Sequence, residues 1–397
     1  MIQDRKAQDK LLRNVLFAFF VNGAAAQSLG LFVPFLKQTY NLSYDVSGIL
    51  ISCHSIGNII SILLTGILPY YIGRRKSVLV TSVWMAVAFI IFACGFSSPG
   101  VLIAAFLMTG LSRGSNTNFS NTMVSTLPNE RATKGFNFLH GGFAIGALLS
   151  PLLMVFLTNH IENIGWRVMA AVLAVLVLLQ VAVYATMNIP ELKEEKKGVR
   201  GADKSFLKNG RFWLGTAMLF CYISTEYAIM GWLVTYFEDA GLLSDNMAQM
   251  MSSLLWLLIF IGRIIGAFII GKKISREKLL LIDGVGFVCC FLIMFFSRTP
   301  VPIVIGIMGV GLFMATIYTC AFSFGSECVK GNEFGCSIMI FAGSLGGVIT
   351  PMLVGLVAEK HGISAGMGLV AAYTCLMLIS IILSVTLQKK FKNEVVK

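Results

Sequence analysis

Apolar residues run along this chain in stretches of about twenty, each closed by a short polar or charged connection. A bilayer-spanning helix needs roughly that many residues, and twelve such stretches are centred near Ala25, Ile59, Val87, Ser112, Ala147, Leu176, Ser224, Leu258, Phe287, Leu312, Ser344 and Met377. The pattern predicts an all-α membrane protein of twelve transmembrane helices. Its only long polar connection, PELKEEKKGVRGADKSFLKNGR at 190–211, has no apolar periodicity and reads as a linker between six-helix bundles at 1–189 and 212–397. One stretch breaks the pattern: 110–121 reads GLSRGSNTNFSN in the middle of an apolar segment. Arg113, Asn116, Thr117, Ser120 and Asn121 fall at i, i+3, i+4, i+7 and i+8, which places them on one face of a helix. A buried charge there is costly and marks an inward-facing position. Gly110 and Gly114, four apart, leave room for a neighbouring backbone.

Composition removes the soluble alternatives. Of 397 residues, 56% are hydrophobic and only 13% charged, against about a quarter charged in soluble domains; mean hydropathy is +0.81. The net charge of +12 is distributed by side. Arg5, Lys6, Lys10 and Arg13, the Arg74-Arg75-Lys76 turn, Arg131, Lys134, the 190–211 linker, Lys272 to Lys278, Lys330 and the C-terminal lysines fall on one side. Lys37, Arg167, Arg298 and Lys360 fall on the other. By the positive-inside rule both termini are expected to be cytoplasmic, in a multi-pass protein of the cell membrane. The basic charge is then topological, and no nucleic-acid partner is expected. MIQDRKAQDKLLRN leads into a full-length apolar stretch, so the first helix reads as an uncleaved anchor. The nine cysteines lie in or at the ends of spans without a C-x-x-C pair. No cofactor, metal or enzymatic constellation is expected; the partners are a small-molecule substrate, the lipid bilayer and, in a coupled mechanism, protons, with the chain acting as a monomer.

Motifs refine this. GILPYYIGRRK at 66–76 is similar to the major facilitator signature G-x-L-x-D-R-x-G-R-[KR], matching at Gly66, Leu68, Gly73, Arg74 and Arg75, with Tyr70 and Tyr71 in place of the acidic and basic residues. YISTEYAIMGWLVTYF, FIGRIIGAFI, IYTCAFSFGSE and GSLGGVITPMLVGLVAEKHG in the second half, with FNFLHGGFAIGALLSPLL in helix 5, resemble the fucose:proton symporter branch of that superfamily. The resemblance implies two pseudo-symmetric bundles, a cavity lined by helices 1, 4, 7 and 10, and carriage of hexoses, related polyols or other small solutes by alternating access. It also exposes a departure. Proton-coupled members place an aspartate in helix 1 and a glutamate in helix 4, whereas here helix 1 offers Asn22 and Gln27 and helix 4 offers SNTNFSN.

Arg113 lies near the midpoint of its span, and its fork of five donors suits a carboxylate, a phosphate or adjacent sugar hydroxyls; a purely structural pairing is the alternative. Glu226, midway along helix 7 and one turn from Tyr222, is the one acid expected deep in the bilayer, as proton carrier, substrate ligand or partner of Arg113. Asp45, Asp239, Asp245, Asp283 and Glu327 are expected at loops or span ends. The substrate set is Arg113, Asn116, Thr117, Asn121, Asn22, Gln27 and Glu226, with the aromatics Tyr222, Trp232 and Tyr318. His54 and His140 join Glu226 as proton-coupling candidates, each alternatively an interhelical hydrogen-bonding residue. Arg263, Asn58, Asn137 and the Gly73-Arg74-Arg75 turn are assigned to gating or structure. The expected function is secondary or facilitative transport of a small polar solute, foremost a sugar or sugar derivative. An organic-anion or acidic-sugar carrier using Arg113 is the alternative, and a non-transporting membrane receptor a remote one.

Overall fold

A computed structural model describes residues 5–127, 129–187, 189, 205–269, 274–329 and 333–387. Two compact units result, Met1–Glu194 and Glu195–Lys397. In the first, α1 (Arg5–Tyr40), α2 (Tyr44–Ile72), α3 (Arg74–Cys94), α4 (Pro99–Ser125), α5 (Asn129–His160) and α6 (Gly165–Thr186) follow one another through short turns. The second holds α7 (Gly210–Asp239), α8 (Asp245–Ile269), α9 (Arg276–Phe296), α10 (Pro300–Ser326), α11 (Glu333–His361) and α12 (Ile363–Thr386), with single 3-10 turns at Ser205–Lys208 and Glu327–Val329. Helices are what a lipid environment demands, because each satisfies its own backbone polar groups.

Local sequence sets the ends. Pro99 and Pro300 open α4 and α10, where a missing N–H costs nothing. Asn209 caps α7 by accepting from the Arg211 N–H at 2.9 Å. Gly73, at φ 78°, ψ 155°, donates its N–H to Pro69 O at 2.9 Å to close α2, and its own carbonyl accepts from Ser77 N at 3.1 Å to begin α3. That conformation requires glycine. Beside it Arg74 is buried, while Arg75 hydrogen-bonds the Ala185 carbonyl at the end of α6. Tyr70 and Tyr71 are exposed, with their rings edge to face.

Among the described residues, ten helices are individually long and apolar enough to cross a membrane. Two of the twelve differ. α2 qualifies only as a bent pair, Tyr44–Ser61 and Leu63–Ile72, at 53°. α4 has 27 residues, about 40 Å at 1.5 Å per residue, but its polar stripe makes it less apolar than the other ten. Each unit repeats one packing scheme. α2 packs on α4, α1 on α5 and α3 on α6; six helices later, α8 packs on α10, α7 on α11 and α9 on α12. Glycines permit the closest approaches. A Cβ on Gly110 would strike the His54 carbonyl, and one on Gly311 would lie 2.7 Å from the Leu255 carbonyl. The two halves therefore share a contact device as well as a helix order.

Most of the linker, residues 190–204, lies outside the described residues, as do Lys272 and the C-terminal lysines. The side chains of Arg131, Lys134 and Asn137 also lie outside them.

Candidate functional site

In the first unit, the site is set by how near α2 comes to α4. Gly57 faces the Leu107 carbonyl, Gly110 faces the His54 carbonyl, and Gly114 faces Ser61 Oγ and Asn58 Oδ1. With no side chains at those points, His54 reaches the middle of α4. Arg113 Nη1 donates to His54 Nε2 at 3.3 Å, and His54 Nδ1 lies 2.9 Å from Thr109 Oγ1. Thr109 Oγ1 in turn donates to Phe106 O at 2.6 Å. The Arg113 guanidinium also lies over the Phe143 ring of α5, 5.8 Å from its centroid, a cation–π geometry.

Asn22 of α1 joins from another side. Its Nδ2 donates to Thr117 Oγ1 at 3.1 Å and to the Arg113 carbonyl at 3.4 Å, and Thr117 Oγ1 donates to that carbonyl at 2.8 Å. Asn22 is only 1% exposed, yet its Oδ1 makes no hydrogen bond. Asn121, one turn beyond Thr117, likewise has a buried Oδ1 without a donor. Gln27 is buried further along α1. The first unit thus gathers Asn22, His54, Arg113, Thr117 and Asn121 around the polar face of α4.

Asn116 does not belong to that group. Its Oδ1 accepts from Ser82 Oγ of α3 at 2.9 Å and its Nδ2 donates to Ser112 Oγ at 3.1 Å, so both ends of the amide are spent inside the α3–α4 contact. Ser120 points to α6, 3.3 Å from the Tyr184 hydroxyl. The Asn116 amide and the Ser120 hydroxyl are thus both engaged in helix–helix packing. His140 is exposed, with its ring edge-on to Phe19 at 5.7 Å. Asn58 lies against α4 at Gly114.

The second unit holds its own cluster. Glu226, one turn beyond Tyr222 on α7, and Arg263 of α8 both act electrostatically on that tyrosine. Tyr318 of α10 packs on Tyr222 at 6.0 Å between centroids and stacks on Phe322 at 6.3 Å. A carboxylate, a guanidinium and two phenols therefore share one neighbourhood, and Arg263 sits six residues before the end of α8 rather than apart from the cluster. Trp232 is elsewhere. Fully buried, it donates its indole N–H to the Pro351 carbonyl of α11 at 3.1 Å, at the α7–α11 packing contact.

Two features were missed in sequence. Thr109 is one turn before Arg113, so its i, i+4 spacing could have joined it to the polar face. Asp283 was expected at a span end; it lies seven residues into α9, about 10 Å along the helix. It is 6% exposed and accepts from Thr316 Oγ1 of α10. Glu226 is therefore not the sole acid within a span. No signal short of the α9 boundary could have placed it.

Comparisons with known proteins agree with this architecture. The chain is 24% identical to a glucose/galactose transporter of Brucella abortus, over 89% of this chain and 88% of that one. It is 23% identical to a gallate transporter of Pseudomonas putida, over 88% and 84%. A solved D-xylose-proton symporter shares the fold at a TM-score of 0.74 with 17% identity, over 96% of this chain and 97% of that one. The Major Facilitator Superfamily profile matches residues 15–331. Twelve helices in two like-packed units, polar side chains gathered inside apolar helices, and that match make the chain a multi-pass membrane transporter, not an enzyme, and a member of the major facilitator superfamily.

Proposed function

We propose that the chain carries a small hydroxylated solute, a sugar or sugar derivative, across the cell membrane by alternating access, as a monomer with both termini cytoplasmic. The segments 1–189 and 212–397 supply the moving parts and 190–211 joins them. The observation that carries this reading is the pair of buried acceptors Asn22 Oδ1 and Asn121 Oδ1, each without a donor, on the same face as the donor-rich Arg113. A solute rich in hydroxyls supplies the missing donors and accepts from arginine at once. An unsatisfied buried acceptor costs about 1–3 kcal/mol, so filling both favours the bound state. Glu226, Tyr222 and Tyr318 offer an acceptor and aromatic faces suited to the same solute class. The glucose/galactose relative supports the reading.

A second reading is an acidic sugar or organic anion, favoured by the guanidinium fork of Arg113 and by the gallate relative. One experiment addresses both. Ligands of the native state raise its melting temperature by mass action, so purified protein is screened against galactose, xylose, galacturonate and gallate. A stabilising hit is then repeated in Arg113→Lys and Arg113→Ala. Arg113→Lys should weaken binding about tenfold or more, because an ammonium cannot reproduce the fork. For an anionic solute Arg113→Ala should be much worse than Arg113→Lys. Unchanged affinity in both variants would end the assignment of Arg113 to the solute.

A further inference from the structure

His54 is held in one protonation form by what surrounds it. Arginine can only donate, so His54 Nε2, 3.3 Å from Arg113 Nη1, must present its lone pair. Thr109 has already committed its hydroxyl proton to Phe106 O, so Thr109 Oγ1 can only accept, and the hydrogen on this side belongs to His54 Nδ1. The imidazole is therefore neutral and in the Nδ1–H tautomer. A proton added at Nε2 would set N–H against N–H and one cation against another 3.3 Å away. His54 Nε2 cannot hold a proton and Arg113 together.

Among the described residues, α1, α3 and α4 bring no further charge to the middle of α2. Arg113 is the only ionisable residue of α4 apart from its termini; α1 has none between Arg13 and Lys37, and α3 none between Lys76 and Cys94. On α2 itself the ionisable residues are the adjacent Cys53 and, nine or more residues away, Tyr44, Asp45, Tyr70 and Tyr71.

We infer that His54 is the proton-coupling residue of this transporter, positioning Arg113 when neutral and releasing it when protonated. The inference rests on the reading that Arg113 engages the solute. Solute binding takes Arg113 Nη1–H from His54 Nε2 to a solute oxygen, breaking one hydrogen bond and forming another. The freed Nε2 lone pair takes up one solvated proton, H3O+ returning to water, so one proton is gained for each solute bound. Solute and proton then favour each other's binding, and by linkage the coupling is reciprocal. This gives the chain a route to proton coupling without the acids that helices 1 and 4 lack.

The full-length protein in lipid vesicles, labelled with 15N on histidine and arginine, tests the switch without any solute. The His54 signal is identified by its loss in His54→Gln. In the neutral form it should appear as the Nδ1–H tautomer, with a dipolar correlation from Nε2 to an arginine Nη. That correlation should vanish on the same pH curve that protonates the ring, and the midpoint should move by one pH unit or more in Arg113→Met. A correlation that persists in the protonated ring, or a titration in Arg113→Met superimposable on wild type, overturns the inference. Galacturonate then serves as the solute probe, with a pH indicator in weak buffer. Its binding should take up one proton per protein in wild type and none in His54→Gln. If Arg113→Lys binds galacturonate as wild type does, the functional reading fails while the His54–Arg113 titration still stands, so the two failures are told apart.

Discussion

Ser82 Oγ donates to Asn116 Oδ1 at 2.9 Å, joining α3 to α4 through a fully buried pair. Asn116 therefore acts through stability and not through the solute. Ser82→Ala should cost about 1–2 kcal/mol by leaving an acceptor unsatisfied between apolar helices. The melting temperature should fall, while solute affinity per folded molecule stays within twofold. A loss of affinity in well-folded Ser82→Ala would return Asn116 to the binding set.

Gly110 and Gly66 offer a paired comparison on the same two helices. A Cβ at Gly110 would meet the His54 carbonyl, whereas nothing lies within 4 Å of one at Gly66. Gly110→Ala should cost about 1–3 kcal/mol or more through overpacking, and it should also disturb the Arg113–His54 contact. Gly66→Ala should be neutral or slightly stabilising, since alanine favours a helix by about 1 kcal/mol over glycine. Equal melting temperatures for the two variants would mean that α2 does not approach α4 so closely.

Glu226 and Arg263 both act electrostatically on Tyr222. Replacing the carboxylate by an amide weakens charge-assisted hydrogen bonds worth about 1.5–3 kcal/mol, so Glu226→Gln should lower solute affinity roughly 10- to 100-fold. Accumulation should remain proton-driven, because the coupling proton is assigned to His54. Gradient-driven uptake lost in Glu226→Gln with affinity intact would transfer that role to Glu226.

Glu327 bridges two arginines at the ends of three helices: Arg211 of α7 and Arg276 of α9, with Arg211 Nε also donating to Phe324 O of α10 at 2.9 Å. Arg211 is 7% exposed and Glu327 29%, between the surface and buried limits. Glu327→Gln should therefore destabilise the second unit by about 1–3 kcal/mol. Thermal unfolding in low and high salt measures it. The wild-type advantage should shrink with salt, and a difference indifferent to salt would argue for packing instead of charge.

Hydrophobic run lengths alone determined the all-helical membrane class, because a bilayer leaves the backbone few other choices. The same pattern marked α4 as the exceptional helix, with Arg113 at its centre, and picked out Asn22, His54 and Glu226 as polar residues within other helices. It could not distribute them. At 100° per residue, the face from Asn116 to Asn121 covers about 140° of arc, wide enough to touch several neighbours. Which neighbour each residue meets is set by interhelical approach. Thus Arg113 found His54, Asn116 found Ser82, and Ser120 found Tyr184. Trp232 shows the same limit: a sequence marks it as aromatic and intramembrane, while only the seating of α11 on α7 decides that its N–H meets Pro351 instead of a solute. Side-chain chemistry and periodicity are local properties of a chain. Donors and acceptors are paired by tertiary packing, and in this protein that pairing decides which polar side chains are spent on the fold.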